Sequence, residues 1–202
     1  ANQTAWYYTD FDGDRKVQDG VSAEVSIETI SLIRPGFLVE RSYYFFPSDR
    51  QSYDNSQRTF SVALGPYPRI RGVVSYRTGD NFGADIRYTD AEVIVKPVDR
   101  MRLTANYSHL ERDPHDGLSP SAQSDIGRLG FNYLFTPDMY WRVFVQSDSS
   151  DKLSLVNTLI RWEYRPGSVF YLSYKETRDD TLGDFMPTDR QLLAKLSYHL
   201  HR

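Results

Sequence analysis

The stretch that decides the fold is Leu155-Val156-Asn157-Thr158-Leu159-Ile160-Arg161-Trp162-Glu163-Tyr164, followed by Arg165-Pro166-Gly167 and then Ser168-Val169-Phe170-Tyr171-Leu172-Ser173-Tyr174. Val156, Thr158, Ile160, Trp162 and Tyr164 alternate with Leu155, Asn157, Leu159, Arg161 and Glu163. Successive side chains of an extended strand point to opposite faces, so a period of two makes one face apolar and aromatic and the other mixed and charged. Pro166-Gly167 supplies preset turn geometry between two such runs. The segment reads as a β-hairpin.

The same period extends in both directions. Val21, Ala23, Val25 and Ile27 alternate with Ser22, Glu24, Ser26 and Glu28. Phe60, Val62 and Leu64 alternate with Thr59, Ser61 and Ala63. Met101, Leu103, Ala105 and Tyr107 alternate with Arg102, Thr104, Asn106 and Ser108, and a last run covers Leu192 to Leu200. About twelve strands are expected, near 3–9, 21–33, 37–46, 57–65, 69–77, 84–96, 100–110, 126–135, 139–147, 153–164, 168–176 and 191–200. The apolar phase changes within 84–96, from Ala84, Ile86 and Tyr88 to Ala91, Val93 and Val95, which predicts a bulge near Thr89–Asp90. In 37–46, Arg41 interrupts the set Phe37, Val39, Tyr43 and Phe45. No amphipathic helix is apparent.

Five connections are short and hold proline: Arg34-Pro35-Gly36, Gly65-Pro66-Tyr67-Pro68, Pro97-Val98-Asp99, Thr136-Pro137-Asp138 and Arg165-Pro166-Gly167. Between them lie segments that are mostly longer and polar: 10–20, 47–56, 78–83, 111–125, 148–152 and 177–190. Short turns at one end and long loops at the other, in strict alternation, are the habit of outer-membrane barrels. Tyr43, Tyr44, Phe45, Phe46, Tyr133, Phe135, Tyr140, Trp141, Trp162, Tyr164, Phe170, Tyr171 and Tyr174 lie near strand ends, where amphipathic rings favour a membrane interface.

Composition agrees with this and excludes other classes. The chain has 202 residues, a net charge of −3, 40% hydrophobic residues and no cysteine. That excludes a disulfide scaffold and a thiolate zinc site, and it gives no global nucleic-acid footprint. Mean hydropathy is −0.56, and no apolar run is long enough for a helical span. A transmembrane barrel alternates polar and apolar residues, so its average also looks water-soluble. Ala1 and the residues after it have neither the basic nor the apolar region of a secretory leader. A mature product, a fragment and a chain that is not secreted are all consistent with that.

The C-terminal third also carries a resemblance. Phe131 to Gln146, Asn157 to Tyr174 and Leu193 to Leu200 resemble two hairpins and the last strand of an uncharacterised bacterial family. In that family a carbohydrate-binding-family-9-like sandwich precedes a C-terminal outer-membrane β-barrel, and some members are labelled membrane-associated hydrolases. The resemblance implies an outer-membrane barrel that is the C-terminal part of a larger protein or a separate small one. It covers roughly residues 126–200 and supplies no catalytic residues.

The expected fold is therefore all-β: an antiparallel up-and-down transmembrane β-barrel of about twelve strands, one domain over residues 1–202. Residues expected to line its lumen are Glu24, Glu28, Arg69, Arg71, Asp85, Arg87, Arg102, Arg128, Arg142, Arg161, Glu163, Lys175 and Lys195. The expected outward band includes Phe60, Val62, Leu64, Met101, Leu103, Phe131, Tyr133, Val143, Val145, Ile160, Trp162, Leu172, Leu196 and Tyr198. Asp10, Asp12 and Asp14 offer hard oxygen ligands for calcium, although Arg15 and Val21 break the EF-hand pattern. No other cofactor is expected. Ser108 and His109 are strand neighbours on opposite faces and cannot pair directly as nucleophile and base.

Three functions stay open: an outer-membrane anchor, narrow pore or scaffold subunit, a soluble carbohydrate- or ligand-binding module, and a membrane-associated hydrolase. The first, non-catalytic reading is preferred. Its partners are outer-membrane lipid and envelope subunits rather than nucleic acid.

Overall fold

A computed structural model of the chain describes residues 2–9, 16–46, 51–65, 67–117, 119–179, 181 and 186–199. The strands are β1 Asn2–Thr9, β2 Lys16–Ser26, β3 Ile33–Phe46, β4 Gln51–Leu64, β5 Ile70–Asp80, β6 Ala84–Val95, β7 Met101–Pro114, β8 Ala122–Thr136, β9 Met139–Asp148, β10 Leu153–Arg165, β11 Ser168–Asp179 and β12 Met186–Ser197. They form one sheet in chain order, each strand bonded to its sequence neighbours. The fold is all-β, antiparallel and up-and-down, and no helix occurs among the described residues.

Several boundaries differ from those the side-chain pattern predicts. β3 and β4 run to 14 residues and β8 to 15. The polar segments 51–56, 111–114 and 122–125 are strand, not loop. A ladder bonds backbone to backbone, so it extends wherever a neighbour is present, whatever the side chains. The strict alternation of short turns and long loops is lost for the same reason. The connections 27–32 and 65–69 are no shorter than 47–50 and 81–83.

The first turn also moves. Pro35 and Gly36 lie inside β3, facing Val62 and Ser61 of β4. The chain reverses over 27–32, where Leu32 has φ 52° and its N–H donates to the Thr29 carbonyl at 2.9 Å. The Pro35 carbonyl accepts the Ile27 N–H at 3.1 Å. The N–H that proline lacks would face the same way, beyond the last β2–β3 pair, Ser26–Gly36. Proline therefore forgoes only the reciprocal bond to Ile27, at the point where the β2–β3 ladder stops.

In β6 the apolar residues divide between the faces. Ala84, Ile86 and Ile94 are buried at even positions, while Val93 is exposed. The change of phase seen in the sequence accompanies two faces that each use apolar residues.

The chain divides into two compact units, Ala1–Pro66 with Gly72–Ala91 and Ser108–Ser124, and Tyr67–Arg71 with Glu92–Tyr107 and Asp125–Arg202. In the first unit, Val25, Phe37, Phe60 and Tyr76 form one cross-strand row on an apolar face. The Phe37 and Phe60 rings lie 4.7 Å apart. The opposite face carries Glu40, Ser42 and Tyr44 across from Gln57, Asn55 and Tyr53.

In the second unit, register sets Tyr133, Trp141, Ile160, Leu172 and Ala194 in one apolar row and Phe131, Val143, Thr158, Tyr174 and Leu192 in the next. Trp141 satisfies its indole N–H on Thr158 Oγ1 at 2.7 Å, within this otherwise apolar face. Val93, Val95, Leu103 and Ala105 share an open hollow of about 460 Å³ with Leu129, Phe131, Val143 and Val145. The two rows directly behind hold Asn132, Arg142, Leu159, Ser173 and Leu193, and Leu134, Tyr140, Arg161, Tyr171 and Lys195.

Candidate functional site

The polar face of the second unit concentrates cations. Arg142, Arg161 and Lys195 occupy the rows just described, and Lys175 stands between Asn157 and Gln191. Arg128 lies opposite Gln146. Arg102 alternates with Met101 and Leu103, which places it on the same side as Thr104 and Asn106. Acids on this face are fewer: Glu92, Glu163 and, at the ends of their strands, Asp148 and Asp189.

The acids near the middle are engaged. Asn106 Nδ2 donates to Glu92 at 3.0 Å. Arg161 Nη2 donates to Glu163 at 2.8 Å, and the Gly167 N–H donates to the other Glu163 oxygen at 3.0 Å. Gly167, at φ 76°, makes the two-residue turn that brings its N–H there. Arg128 Nε donates to Gln146 at 3.1 Å, a neutral partner that leaves its charge uncompensated. The Arg142 guanidinium lies 5.9 Å from the centre of the Tyr140 ring.

Toward the β6–β7 and β8–β9 turns these side chains border a pocket of about 540 Å³. Lys96, Arg100, Arg102 and Arg142 line it, with Asp99 the one acid among its lining residues. Four cations against one carboxylate around this space make a local positive potential that attracts anions. Nothing here resembles a nucleophile–base pair. The His109 ring lies 3.3 Å from Glu111, and Ser108 alternates to the other side of β7.

The structure sorts the other expected lumen residues differently. Glu24 faces Leu38 on the polar face. Arg71 lies in β5, while Arg69 precedes that strand and its carbonyl accepts the Lys96 N–H at 2.7 Å. Glu28 is in the 27–32 turn and pairs with Arg34 at 3.2 Å, so it is not a strand-face residue. Asp85 and Arg87 are corrected too. They alternate with the buried Ala84 and Ile86, and so point to the exposed side of β6, where Arg87 pairs with Glu111 at 3.1 Å. The sequence could not place them, because the apolar set in that half of β6 belongs to the polar face.

The aromatic pairs also split by parity. Tyr44, Phe46, Tyr140 and Tyr171 fall on the polar face, Tyr43, Tyr133, Trp141, Trp162 and Phe170 on the apolar one. Phe82 is a residue the sequence reading missed. It sits in the β5–β6 turn at φ 51°, a conformation costly for a bulky side chain. Its ring lies 5.1, 5.6 and 5.8 Å from those of Tyr44, Tyr53 and Phe46. The one available signal was an aromatic inside the polar turn Asn81-Phe82-Gly83.

Asp10, Asp12 and Asp14 lie outside the described residues. Among those described, Asp80, Asp85 and His115 come together. His115 Nδ1 is 3.6 Å from Asp80 and its Nε2 is 3.4 Å from Asp85. Each of the three offers one ligand atom, all within 4.8 Å of one another, and the His115 ring lies between the two carboxylates. With the His115 N–H donating to the Gly83 carbonyl at 2.9 Å, it ties the β7–β8 connection to the β5–β6 turn.

No family model matches the chain, and no curated protein does. Two solved structures are similar in fold. One is described as "NanC porin structure in rhombohedral crystal form", with 8% identity, a TM-score of 0.40 and coverage of 98% of each chain. The other is "KdgM porin in complex with disordered oligogalacturonate", with 7% identity, a TM-score of 0.36 and coverage of 91% of this chain and 95% of that one.

Proposed function

We propose that the chain is a bacterial outer-membrane β-barrel in which the polar face lines a narrow, anion-preferring pore. The observation that carries this reading is the segregation of charge. A chain of net charge −3 gathers Arg102, Arg128, Arg142, Arg161, Lys175 and Lys195 on one strand face.

The opposite face supports a lipid environment. Leu129, Leu192 and Leu196 are 60%, 73% and 67% exposed, as are many of their apolar neighbours to a lesser degree. Moving a side chain of that size from water to an apolar medium stabilises by roughly 1.5–3 kcal/mol, which lipid supplies and water does not. Buried apolar side chains are few among the described residues: Ala84, Ile86 and Ile94. Closing an up-and-down sheet of even strand number removes its edges and puts the cationic face inside. Outer-membrane lipid is then the main partner.

The test is conductance. The chain, refolded and inserted into planar bilayers across a KCl gradient, is expected to show a reversal potential on the anion side. Arg102→Glu, Arg142→Glu and Arg161→Glu together are expected to move it to the cation side. A membrane-inserted chain that does not conduct would overturn the pore in favour of an anchor or scaffold. A water-soluble monomer without detergent would overturn the membrane reading itself.

A further inference from the structure

On the apolar face of the second unit, one carboxylate is placed where none is expected. Glu176 lies in the row of Leu129, Val145 and Val156, and only 6% of it is exposed. An isolated carboxylate there would be strongly disfavoured by desolvation. It is not isolated. Tyr174 donates its hydroxyl to it, Arg178 Nε donates at 2.5 Å and Arg190 Nε at 3.1 Å. Arg190 is the direct cross-strand partner of Glu176, and Arg178, two residues along β11, lies on the same side as Glu176 by strand alternation.

The stoichiometry leaves an excess. Two guanidinium groups meet one carboxylate, so the cluster carries one net positive charge. Both arginines donate to Glu176 through Nε, and their side chains are 46% and 59% exposed. The row beyond Glu176 is small and polar, with Gly127, Ser147, Ser154 and Arg178. The cluster thus lies at the border of the apolar band, toward the ends of β11 and β12 that meet the 180–185 connection. A pair of guanidinium forks fixed side by side is suited to a phosphate, which accepts bidentate charge-assisted bonds.

We infer that Arg178 and Arg190, positioned by Glu176, bind the phosphate of a lipid headgroup in the leaflet that surrounds this end of the sheet. The inference rests on the membrane reading above, which supplies the lipid. A lipid is favoured over a free anion because the row on one side of the cluster is apolar and would lie against acyl chains while the forks meet the headgroup.

The experiment compares thermal unfolding, followed by heat-modifiable migration, in micelles doped with a bisphosphorylated glucosamine lipid and with the same lipid after dephosphorylation. The phosphorylated form is expected to raise Tm by roughly 5 °C. Arg178→Gln with Arg190→Gln strands the carboxylate, so the informative variant is Glu176→Gln, Arg178→Gln and Arg190→Gln together. It removes every charge at nearly constant shape, and the two lipids should then give the same Tm. A lipid difference that persists in the triple variant, or none in the native chain, would overturn the inference. So would an equal rise from inorganic phosphate alone. Recovery of the native chain as a soluble monomer would instead overturn the membrane reading, which separates the two failures.

Discussion

Asn55 Oδ1 accepts the backbone N–H of Phe82 at 2.7 Å, across 27 positions of sequence. Asn55 is 4% exposed, and its Nδ2 also reaches Ser42 Oγ at 3.5 Å. One buried amide therefore holds a turn residue in a left-handed conformation with its ring among Tyr44, Phe46 and Tyr53.

Removing that acceptor should release the turn. Asn55→Ala leaves the Phe82 N–H without its partner and is expected to cost on the order of 1–3 kcal/mol. Asn55→Ser keeps a neutral oxygen acceptor and should lose less. Unfolding in urea, followed by heat-modifiable migration, measures both. Equal losses would mean that the oxygen at this position is unimportant.

Phe82 itself should act on conduction more than on folding. Its ring and the rings of Tyr44, Phe46 and Tyr53 gather on the polar side of β3 and β4. Each aromatic pair contributes about 0.5–1.5 kcal/mol beyond its buried area, so Phe82→Ala is expected to destabilise modestly. In a pore the same change removes bulk, and single-channel conductance should rise. Unchanged conductance would place the cluster outside the ion path.

The apolar face makes the membrane reading sensitive to one substitution. Val143 stands between Phe131 and Thr158, in the middle of the band. Val143→Arg on a lipid-facing surface is expected to cost roughly 2–4 kcal/mol and to reduce assembly into the membrane fraction. Arg142→Val, one position away and on the opposite face, should leave assembly largely intact. The comparison of the two yields tests which face meets lipid.

Gly79 offers a purely steric test. Its φ is 139°, and a Cβ there would come within 2.0 Å of the Ser56 carbonyl oxygen. That oxygen is backbone and cannot swing aside. Gly79→Ala is expected to destabilise by about 1–3 kcal/mol. A refolding midpoint in urea equal to that of the native chain would show that β4 and β5 separate more easily than their ladder implies.

Much of the architecture is legible in the order of residues. Alternation alone places Val156, Ile160 and Trp162 on one face and Asn157, Arg161 and Glu163 on the other, because the pleat of a strand has a period of two. Short proline-containing turns then join consecutive strands into antiparallel neighbours, and twelve strands in chain order follow. The cations of β7 to β12 are legible for the same reason, since Arg102, Arg128, Arg142, Arg161, Lys175 and Lys195 all interrupt apolar runs in phase.

Tertiary structure decided the rest. Apolar periodicity in a sequence needs apolar residues, and the polar ends of β4, β7 and β8 hold few of them, yet their backbones still pair. Pro35 passes as a turn residue until the end of β2 is known. Asp85 and Arg87 look like lumen residues until Ala84 and Ile86 are found buried. Phe82 meets Tyr44, and Glu176 meets Arg190, only once register is fixed. Cross-strand neighbours are set by backbone hydrogen bonds between distant segments, and a single strand's sequence holds no record of which residue will stand opposite.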